Sequence, residues 1–268
     1  MSGHRDATYY VKEDASASAD ALERLNMTAD TDVYQVVITG SKTSAAASTI
    51  SVTNKTDSSK TVTVTNSTST ISYFNYSNTL ITDVPATKSF SGIASQRITS
   101  VTFELLRNGS DTNKTVTLTS SNASGSNWVN SSAFTGLAAY DSSGSAYTYK
   151  LKETKVVYTD YWGDSHTVSD EDIIEKIFGA TVSGNTTITN TFPTTTYTVN
   201  KEWEGNTKSM VSSIEVTLYA TYNGTTKTVG TKTLNSSNSW STSWSNLDRY
   251  DYKGDLVKYY VEEVTVYL

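Results

Sequence analysis

The stretch Thr187–Trp203, TITNTFPTTTYTVNKEW, contains the end of one module and the beginning of the next. Ile188 and Val199 are β-branched residues with polar neighbours, a pattern that is typical of half-buried strands. Between them, Pro193 lacks the backbone N–H that a central strand of a sheet requires. We therefore predict a domain boundary at this position.

The composition limits the class of protein. At 268 residues the chain has room for two or three all-β modules of roughly 100 residues each. Tyrosine contributes 18 residues, against 6 Phe and 3 Met, and this balance favours strands over helices. A net charge of −6 and a pI near 5.0 provide no basic surface, so we expect neither nucleic acid nor an anionic membrane as a partner. No apolar run is long enough to span a bilayer.

Cofactors and turnover chemistry are not expected. The chain has no cysteine, which excludes disulfides and thiolate metal sites, and its only histidines are His4 and His166. We therefore predict no metal and no cofactor. The sequence contains no nucleophile elbow, phosphate-binding loop or pair of catalytic carboxylates, so we do not expect a turnover enzyme.

One short pattern, which we name the Glu box, occurs three times. The pattern is Tyr-x-Val/Leu-x-Glu, and its three copies end at Glu13, Glu153 and Glu263. Recurrence at such long spacing indicates an array of related modules.

Other repeated elements support this array. Two short segments have helical composition, and the second begins with a predicted N-cap at Ser169. Two strands with alternating apolar residues each precede an Asn-Gly hairpin turn. These elements are the helices at 18–25 and 169–178, the strands at 101–105 and 214–218, and the turns at 108–109 and 223–224.

A lysine and an asparagine stand at characteristic distances from the Glu box. Lys88 lies 65 residues before Glu153, and Lys201 lies 62 residues before Glu263. Each lysine is followed two positions later by an aromatic residue. The middle module then closes with a strand that ends in Ile-Thr-Asn at Asn190.

The first module offers two candidate closing asparagines. Asn54 lies 41 residues after Glu13, which is close to the 37 residues between Glu153 and Asn190. Asn66 lies 53 residues after Glu13. The spacing favours Asn54, and Asn66 remains the alternative.

With its opening Lys-x-aromatic, its Glu box and its closing Ile-Thr-Asn, the sequence resembles the Cna-B family, the collagen-adhesin B-type repeats of Gram-positive adhesins and pilins. The resemblance implies an all-β fold of tandem Greek-key β-sandwich modules of the immunoglobulin-like Cna-B type, with short helical insertions. It divides the chain into a partial module with extra strands at 1–84, a complete module at 85–194, and a module without its last strand at 195–268. It also implies an extracellular location at the cell wall of a Gram-positive bacterium.

In that family the opening lysine and the closing asparagine condense into an intramolecular isopeptide bond, assisted by the glutamate of the box. The resemblance therefore implies a bond between Lys88 and Asn190, with Glu153 as the catalyst. Burial is consistent with this chemistry, because it lowers the pKa of a lysine and so provides a neutral amine as nucleophile. Burial also raises the pKa of a glutamate, and a protonated carboxyl group can polarise the asparagine carbonyl. Ammonia is the leaving group.

The outer modules each lack one member of the set. The first has Glu13 with Asn54 or Asn66 but no opening lysine, and the last has Lys201 and Glu263 but no closing asparagine. The simpler explanation is a fragment whose ends were drawn through two modules. The alternative is a bond between molecules, in which Lys201 of one chain attacks Asn54 of another.

Two functions are compatible with these features. The first is a structural stalk or shaft segment of a surface adhesin or pilus-like protein, whose partners are the neighbouring modules of the same chain. The second is a ligand-binding module for a glycan or a host matrix protein, which would use aromatic residues at Tyr158, Tyr161 and Trp162. The repetition and the Lys-Glu-Asn set favour the structural function.

Overall fold

The computed structural model describes residues 4–41, 49–60, 62–66, 72–73, 78–205 and 207–268. Contacts within the chain define two compact units. One unit comprises Met1–Asp83 and Thr135–Tyr147, and the other comprises Val84–Phe134 and Thr148–Leu268.

The first unit is built around a small antiparallel sheet in which β3 (Tyr34–Ser41) lies between β1 (His4–Val11) and β4 (Thr49–Asn54). Its helix is short and buries none of its residues, as expected for a segment with few apolar positions. A separate pair of two-residue strands, β5 and β6, follows in the chain. The elements are β1 (His4–Val11), α1 (Ala19–Arg24), β2 (Met27–Thr28), β3 (Tyr34–Ser41), β4 (Thr49–Asn54), β5 (Thr65–Asn66) and β6 (Ser72–Tyr73).

The middle module is a sandwich of two sheets with two short helices. The strands are β7 (Thr79–Ser91), β8 (Ile98–Arg107), β9 (Ser110–Thr119), β10 (Ala123–Ser124), β11 (Asn127–Ala138), β12 (Tyr149–Thr159), β13 (Ser165–Val168), β14 (Thr181–Ser183) and β15 (Thr187–Thr191). The helices are α2 (Ala94–Arg97) and α3 (Glu171–Phe178). One sheet has the order β10-β11-β7-β15-β14, and the other has the order β13-β12-β8-β9.

Alternation along the strands creates the core of the middle sandwich. On β8 the side chains of Val101, Phe103 and Leu105 are fully buried, while the residues between them are partly exposed. This period of two places one face of the strand against the opposite sheet. On β15, Ile188 and Asn190 are the buried positions, so the same periodicity turns a polar amide towards the core.

The last sandwich repeats this plan with fewer strands. Its sheets have the orders β16-β19 and β18-β17-β20, and no strand among the described residues pairs with the second edge of β16. The strands are β16 (Thr194–Asn200), β17 (Ser213–Tyr222), β18 (Thr225–Asn235), β19 (Ser241–Asp248) and β20 (Lys258–Tyr267). The buried core consists of Ile214, Val216, Leu218, Leu234, Trp240, Trp244 and Leu247.

These sheets confirm the predicted all-β class of tandem sandwich modules with short helical insertions. The two predicted Asn-Gly turns are confirmed as well, since Asn108 and Asn223 have positive φ angles and each connects two antiparallel strands. Two-residue turns of this kind require positive φ at both positions, which asparagine and glycine tolerate. Among the described residues, no helix combines the length and the apolar character needed to cross a membrane.

The start of α3 differs from the sequence-based expectation by one residue. Asp170, not Ser169, is the N-cap, because its carboxylate accepts a hydrogen bond from the backbone N–H of Ile173. Both residue types are good N-caps, so composition alone does not choose between neighbours. The helix ends at Gly179, which adopts the left-handed conformation that glycine favours.

Candidate functional site

Lys88, Glu153 and Asn190 meet inside the middle sandwich. Strands β7 and β15 are parallel neighbours, and their register places Lys88 opposite Ile188 and Phe90 opposite Asn190. Positions two residues apart on a strand share one face. Lys88 and Asn190 therefore lie diagonally on the same inward face of this sheet, and Glu153 reaches them from β12 in the facing sheet.

A β-bulge in β12 allows Glu153 to point inwards together with Val156 and Tyr158. The pairing of β12 with β8 shifts register between Glu153 and Lys155, which inserts one extra residue into β12. The buried positions accordingly run through Leu151 and Glu153 and then resume at Val156 and Tyr158. Without the extra residue, a strict period of two would turn Val156 and Tyr158 away from the core.

One carboxylate oxygen contacts both the lysine and the asparagine. Glu153 Oε1 lies 3.0 Å from Lys88 Nζ and 3.3 Å from Asn190 Nδ2. The three residues are almost inaccessible to solvent, with exposed fractions of 0% for Lys88, 7% for Glu153 and 0% for Asn190. Amine, carboxyl and amide groups are thus held together in a site from which bulk water is excluded.

Burial controls the electrostatics of the site. Removal from water lowers the pKa of the Lys88 ammonium to about 8, and the charge of Glu153 and its hydrogen bond to the lysine only partly offset this effect. Glu153 Oε2 and Asn190 Oδ1 are also buried without a hydrogen-bond partner among the described residues. Buried polar atoms are normally paired, so two unpartnered oxygens beside a buried lysine make this an unusual position in a sandwich core.

In the first unit, the predicted site residues are bound to other groups. Glu13 Oε2 accepts a hydrogen bond from the backbone N–H of Asp30 at 3.0 Å. The buried Asn54 donates from Nδ2 to Asp32 Oδ2 at 2.8 Å. Asn66 pairs with Ser72 through its backbone, and its side chain lies outside the described residues.

A second lysine, carboxylate and asparagine group in the first unit escaped the sequence analysis. Lys60 Nζ lies 2.5 Å from Asp32 Oδ2, the same oxygen that Asn54 contacts. Here the lysine side chain is 57% exposed, and its hydrogen bond to Asp32 raises its pKa above the usual value. The three chemical groups are the same as in the middle sandwich. Lys60, however, lacks the burial that would lower its pKa and provide a neutral amine. Asp32 lies outside any Glu box, so the repeated pattern does not identify it.

In the last sandwich, Lys201 and Glu263 are paired but partly open to solvent. Lys201 Nζ lies 2.8 Å from Glu263 Oε2, and the exposed fractions of the two side chains are 29% and 37%. Lys201 Nζ also lies 5.1 Å from the centre of the Trp203 ring. The lysine and the carboxylate of the set are therefore in contact next to the end of β16, whose second edge has no paired strand among the described residues.

The three aromatic residues of the predicted binding segment contact the chain itself. Tyr158 is fully buried, and its hydroxyl oxygen lies 3.4 Å from that of Tyr222. The backbone N–H of Tyr161 donates to Asp248, and the Trp162 indole N–H donates to the carbonyl of Thr228 at 2.8 Å. These contacts join the middle sandwich to the last one, and they leave Tyr158 no exposed surface with which to meet a ligand.

Comparison with known proteins agrees with this architecture. A family model described as the Cna protein B-type domain matches residues 87–191 and 197–267, which is more than half of the chain. The chain belongs to this family. The first Cna-B match contains all of Lys88, Glu153 and Asn190, and the second contains Lys201 and Glu263.

Two solved structures of Cna-B repeats are similar to the chain. One is a single B repeat unit of the collagen-binding surface protein Cna of Staphylococcus aureus, with 29% identity over 69% of this chain and 86% of that one, at a TM-score of 0.28. The other contains two B repeat units of the same S. aureus protein, with 23% identity and a TM-score of 0.31. The alignment to it covers 98% of this chain and 63% of that one. A search of curated proteins finds no match.

Proposed function

We propose that the middle Cna-B module crosslinks itself through an isopeptide bond between Lys88 and Asn190, and that the chain is a stalk segment of a Gram-positive surface adhesin or pilus-like protein. The observation that carries this proposal is the contact of Glu153 Oε1 with both Lys88 Nζ and Asn190 Nδ2 in a buried site. A single carboxylate in this position can take a proton from the amine and return one to the leaving amide nitrogen.

The reaction needs no group other than these three side chains. Lys88 transfers a proton to Glu153, and the resulting neutral amine attacks Cγ of Asn190. Glu153 protonates Nδ2 as the Cγ–Nδ2 bond breaks, and the attacking nitrogen then passes its second proton to the Glu153 carboxylate. The products are a neutral secondary amide, ammonia and a protonated Glu153. Both charges of the buried ion pair are lost in the process, which relieves their desolvation cost.

The bond would give the module mechanical strength because of where its ends lie. Lys88 is on the first strand of the module and Asn190 is on the last, and these strands are parallel neighbours. A force that pulls the two ends of the module apart would otherwise shear the hydrogen bonds between β7 and β15. With the crosslink in place, the covalent bond carries that force. Extracellular proteins are often stabilised by disulfides, and this chain contains no cysteine. The isopeptide bond would supply the covalent crosslink instead.

The intact mass of the purified chain tests this proposal. We expect the chain to be lighter than its sequence by one ammonia, and the variants Lys88→Ala, Glu153→Gln and Asn190→Ala to have their full sequence masses. Proteolysis should yield one branched peptide in which Lys88 is joined to Asn190. A parent chain with the unmodified mass would show that the Lys88 site is unreactive.

The other two lysine and carboxylate pairs are internal controls for the role of burial. Lys60 is exposed and its pKa is raised, and Lys201 is partly exposed and has no asparagine in the described contacts of its site. We therefore expect a loss of one ammonia per chain and no more. The variants Lys60→Arg and Asn54→Ala should retain this loss in full. If the loss of ammonia persisted in Lys88→Ala and disappeared in Lys60→Arg, the reaction would belong to the exposed Lys60. That outcome would contradict the role that we assign to burial.

A further inference from the structure

The contacts between the middle and the last sandwich point to a second function for the segment that follows β12. We infer that Arg97, Asp160, Trp162, Phe192, Tyr222 and Asp248 form a fixed joint, which holds the two sandwiches at one angle. None of these residues belongs to the Lys88 site, so the joint can be tested separately from the crosslink.

A buried ion pair crosses the joint. Arg97 donates from Nη1 to the backbone carbonyl of Asp160 at 2.6 Å, and its Nη2 pairs with Asp248 Oδ1. The other oxygen of Asp248 accepts the backbone N–H of Tyr161 at 2.9 Å. Asp248 belongs to the last sandwich and has no exposed surface, yet both of its oxygens are satisfied by the middle sandwich. Arg97 and the Tyr161 N–H hold different oxygens of one carboxylate, so a change in the angle between the two sandwiches would break at least one of these charge-assisted hydrogen bonds.

An aromatic layer lies beside this ion pair. The Trp162 ring packs edge-on against Tyr222 with 5.1 Å between ring centres, and its indole N–H is bound to the backbone of the last sandwich. Lys227 covers the outer side of this layer, with Nζ 4.7 Å from the centre of the Trp162 ring and 2.7 Å from Asp164 Oδ2. His166 stacks on Tyr252 with nearly parallel rings 4.6 Å apart.

The turn that presents these groups is itself rigid. Asp160 Oδ1 accepts the backbone N–H groups of Trp162 and Asp164, both at 2.9 Å, and Asp160 Oδ2 lies 2.9 Å from His166 Nε2. Gly163 has a φ of 87°, which allows the chain to close this tight turn. The surface is therefore organised before the last sandwich docks on it, and docking requires little further ordering.

The connection between the sandwiches leaves little freedom. Strand β15 ends at Thr191 and β16 begins at Thr194, so only two residues link them. One of the two, Phe192, is buried, and its ring lies 5.6 Å from Tyr158 and 5.2 Å from the Arg97 guanidinium. A flexible hinge needs exposed linker residues with few contacts, and this linker is part of the packed joint instead.

Distances between spin labels test the joint in the full chain. The chain has no cysteine, so Thr115→Cys and Thr233→Cys introduce two unique labelling positions on exposed strand residues of the two sandwiches. Double electron–electron resonance should give one narrow distance distribution. Arg97→Ala combined with Trp162→Ala should widen that distribution roughly twofold, as expected when modules are held only by a short linker.

Two further variants make the result decisive. Asp248→Asn keeps the shape of the side chain and removes its charge, so it should widen the distribution even if Arg97→Ala folds poorly. Lys152→Ala is the matched control, because it removes a 2.6 Å ion pair with Glu171 on the middle sandwich, away from the joint, and should leave the distribution unchanged. A broad distribution in the parent, or a narrow one that none of the joint variants alters, would overturn the inference.

Discussion

Replacing Asn190 by alanine is expected to lower the melting temperature of the middle sandwich by about 20 °C. Lys88 and Asn190 stand about 100 residues apart, and a crosslink that closes a loop of that length restricts the unfolded chain by about 4.7 kcal/mol. The estimate comes from disulfides, but the entropy of loop closure does not depend on the chemistry of the link. Differential scanning calorimetry of the parent and the variant measures the difference.

Two companion variants separate the crosslink from the packing of the site. Glu153→Gln preserves the size of the side chain but removes the group that transfers protons, so it should lose the crosslink and melt near Asn190→Ala. Asn54→Ala removes a buried asparagine of the first unit that bonds to Asp32, and it should leave the transition of the middle sandwich in place. If Asn190→Ala melted with the parent, the bond would be absent or would contribute nothing to stability.

The meeting of Lys88, Glu153 and Asn190 in one core could be predicted from the sequence because each of them lies on a strand with alternating polar and apolar residues. Ile188 and Asn190 alternate with threonines, so the burial of one predicts that of the other. The spacing of Lys88 and Glu153 predicts that they belong to the same module. The bulge after Glu153 could not be foreseen, since no residue type in Lys152-Glu153-Thr154 is specific for a bulge.

The joint could not be predicted, because its parts are far apart in the chain. Arg97 and Asp248 are separated by 151 residues and lie in different modules, and neither belongs to a repeated pattern. Tyr161 and Trp162 can be identified from the sequence as candidate contact residues. Aromatic residues in a loop serve equally well against a ligand or against a neighbouring module, so the sequence could not identify the partner.

The rate of crosslink formation is expected to be constant between about pH 6 and pH 8 and to fall about tenfold per pH unit above pH 8. Lys88 and Glu153 share one labile proton in their ion pair. The pair loses this proton as the pH rises through the pKa of Lys88, which burial lowers to about 8. The reactive form has this proton on Glu153, where it can be passed to the leaving nitrogen. The reactive form therefore carries the same number of protons as the ion pair. For this reason a lower pH, down to about pH 6, does not increase the fraction of molecules in the reactive form. Above pH 8 the proton is absent, so Glu153 can neither polarise the Asn190 carbonyl nor protonate Nδ2 when Lys88 attacks.

The sign of this dependence distinguishes the mechanism from simple attack by a free amine. If only the neutral amine mattered, the rate would rise with pH up to about 8 and then level off, since the neutral fraction of Lys88 follows its pKa. The measurement starts from unlinked chain that is recovered unfolded from inclusion bodies and verified by mass. The chain is refolded into buffers between about pH 6 and pH 10 and quenched in acidic denaturant, and the fraction that has lost ammonia is followed by intact mass. A rate that rises up to about pH 8 and then levels off would show that only the neutral amine of Lys88 limits the reaction and that Glu153 is not the proton donor for the leaving group.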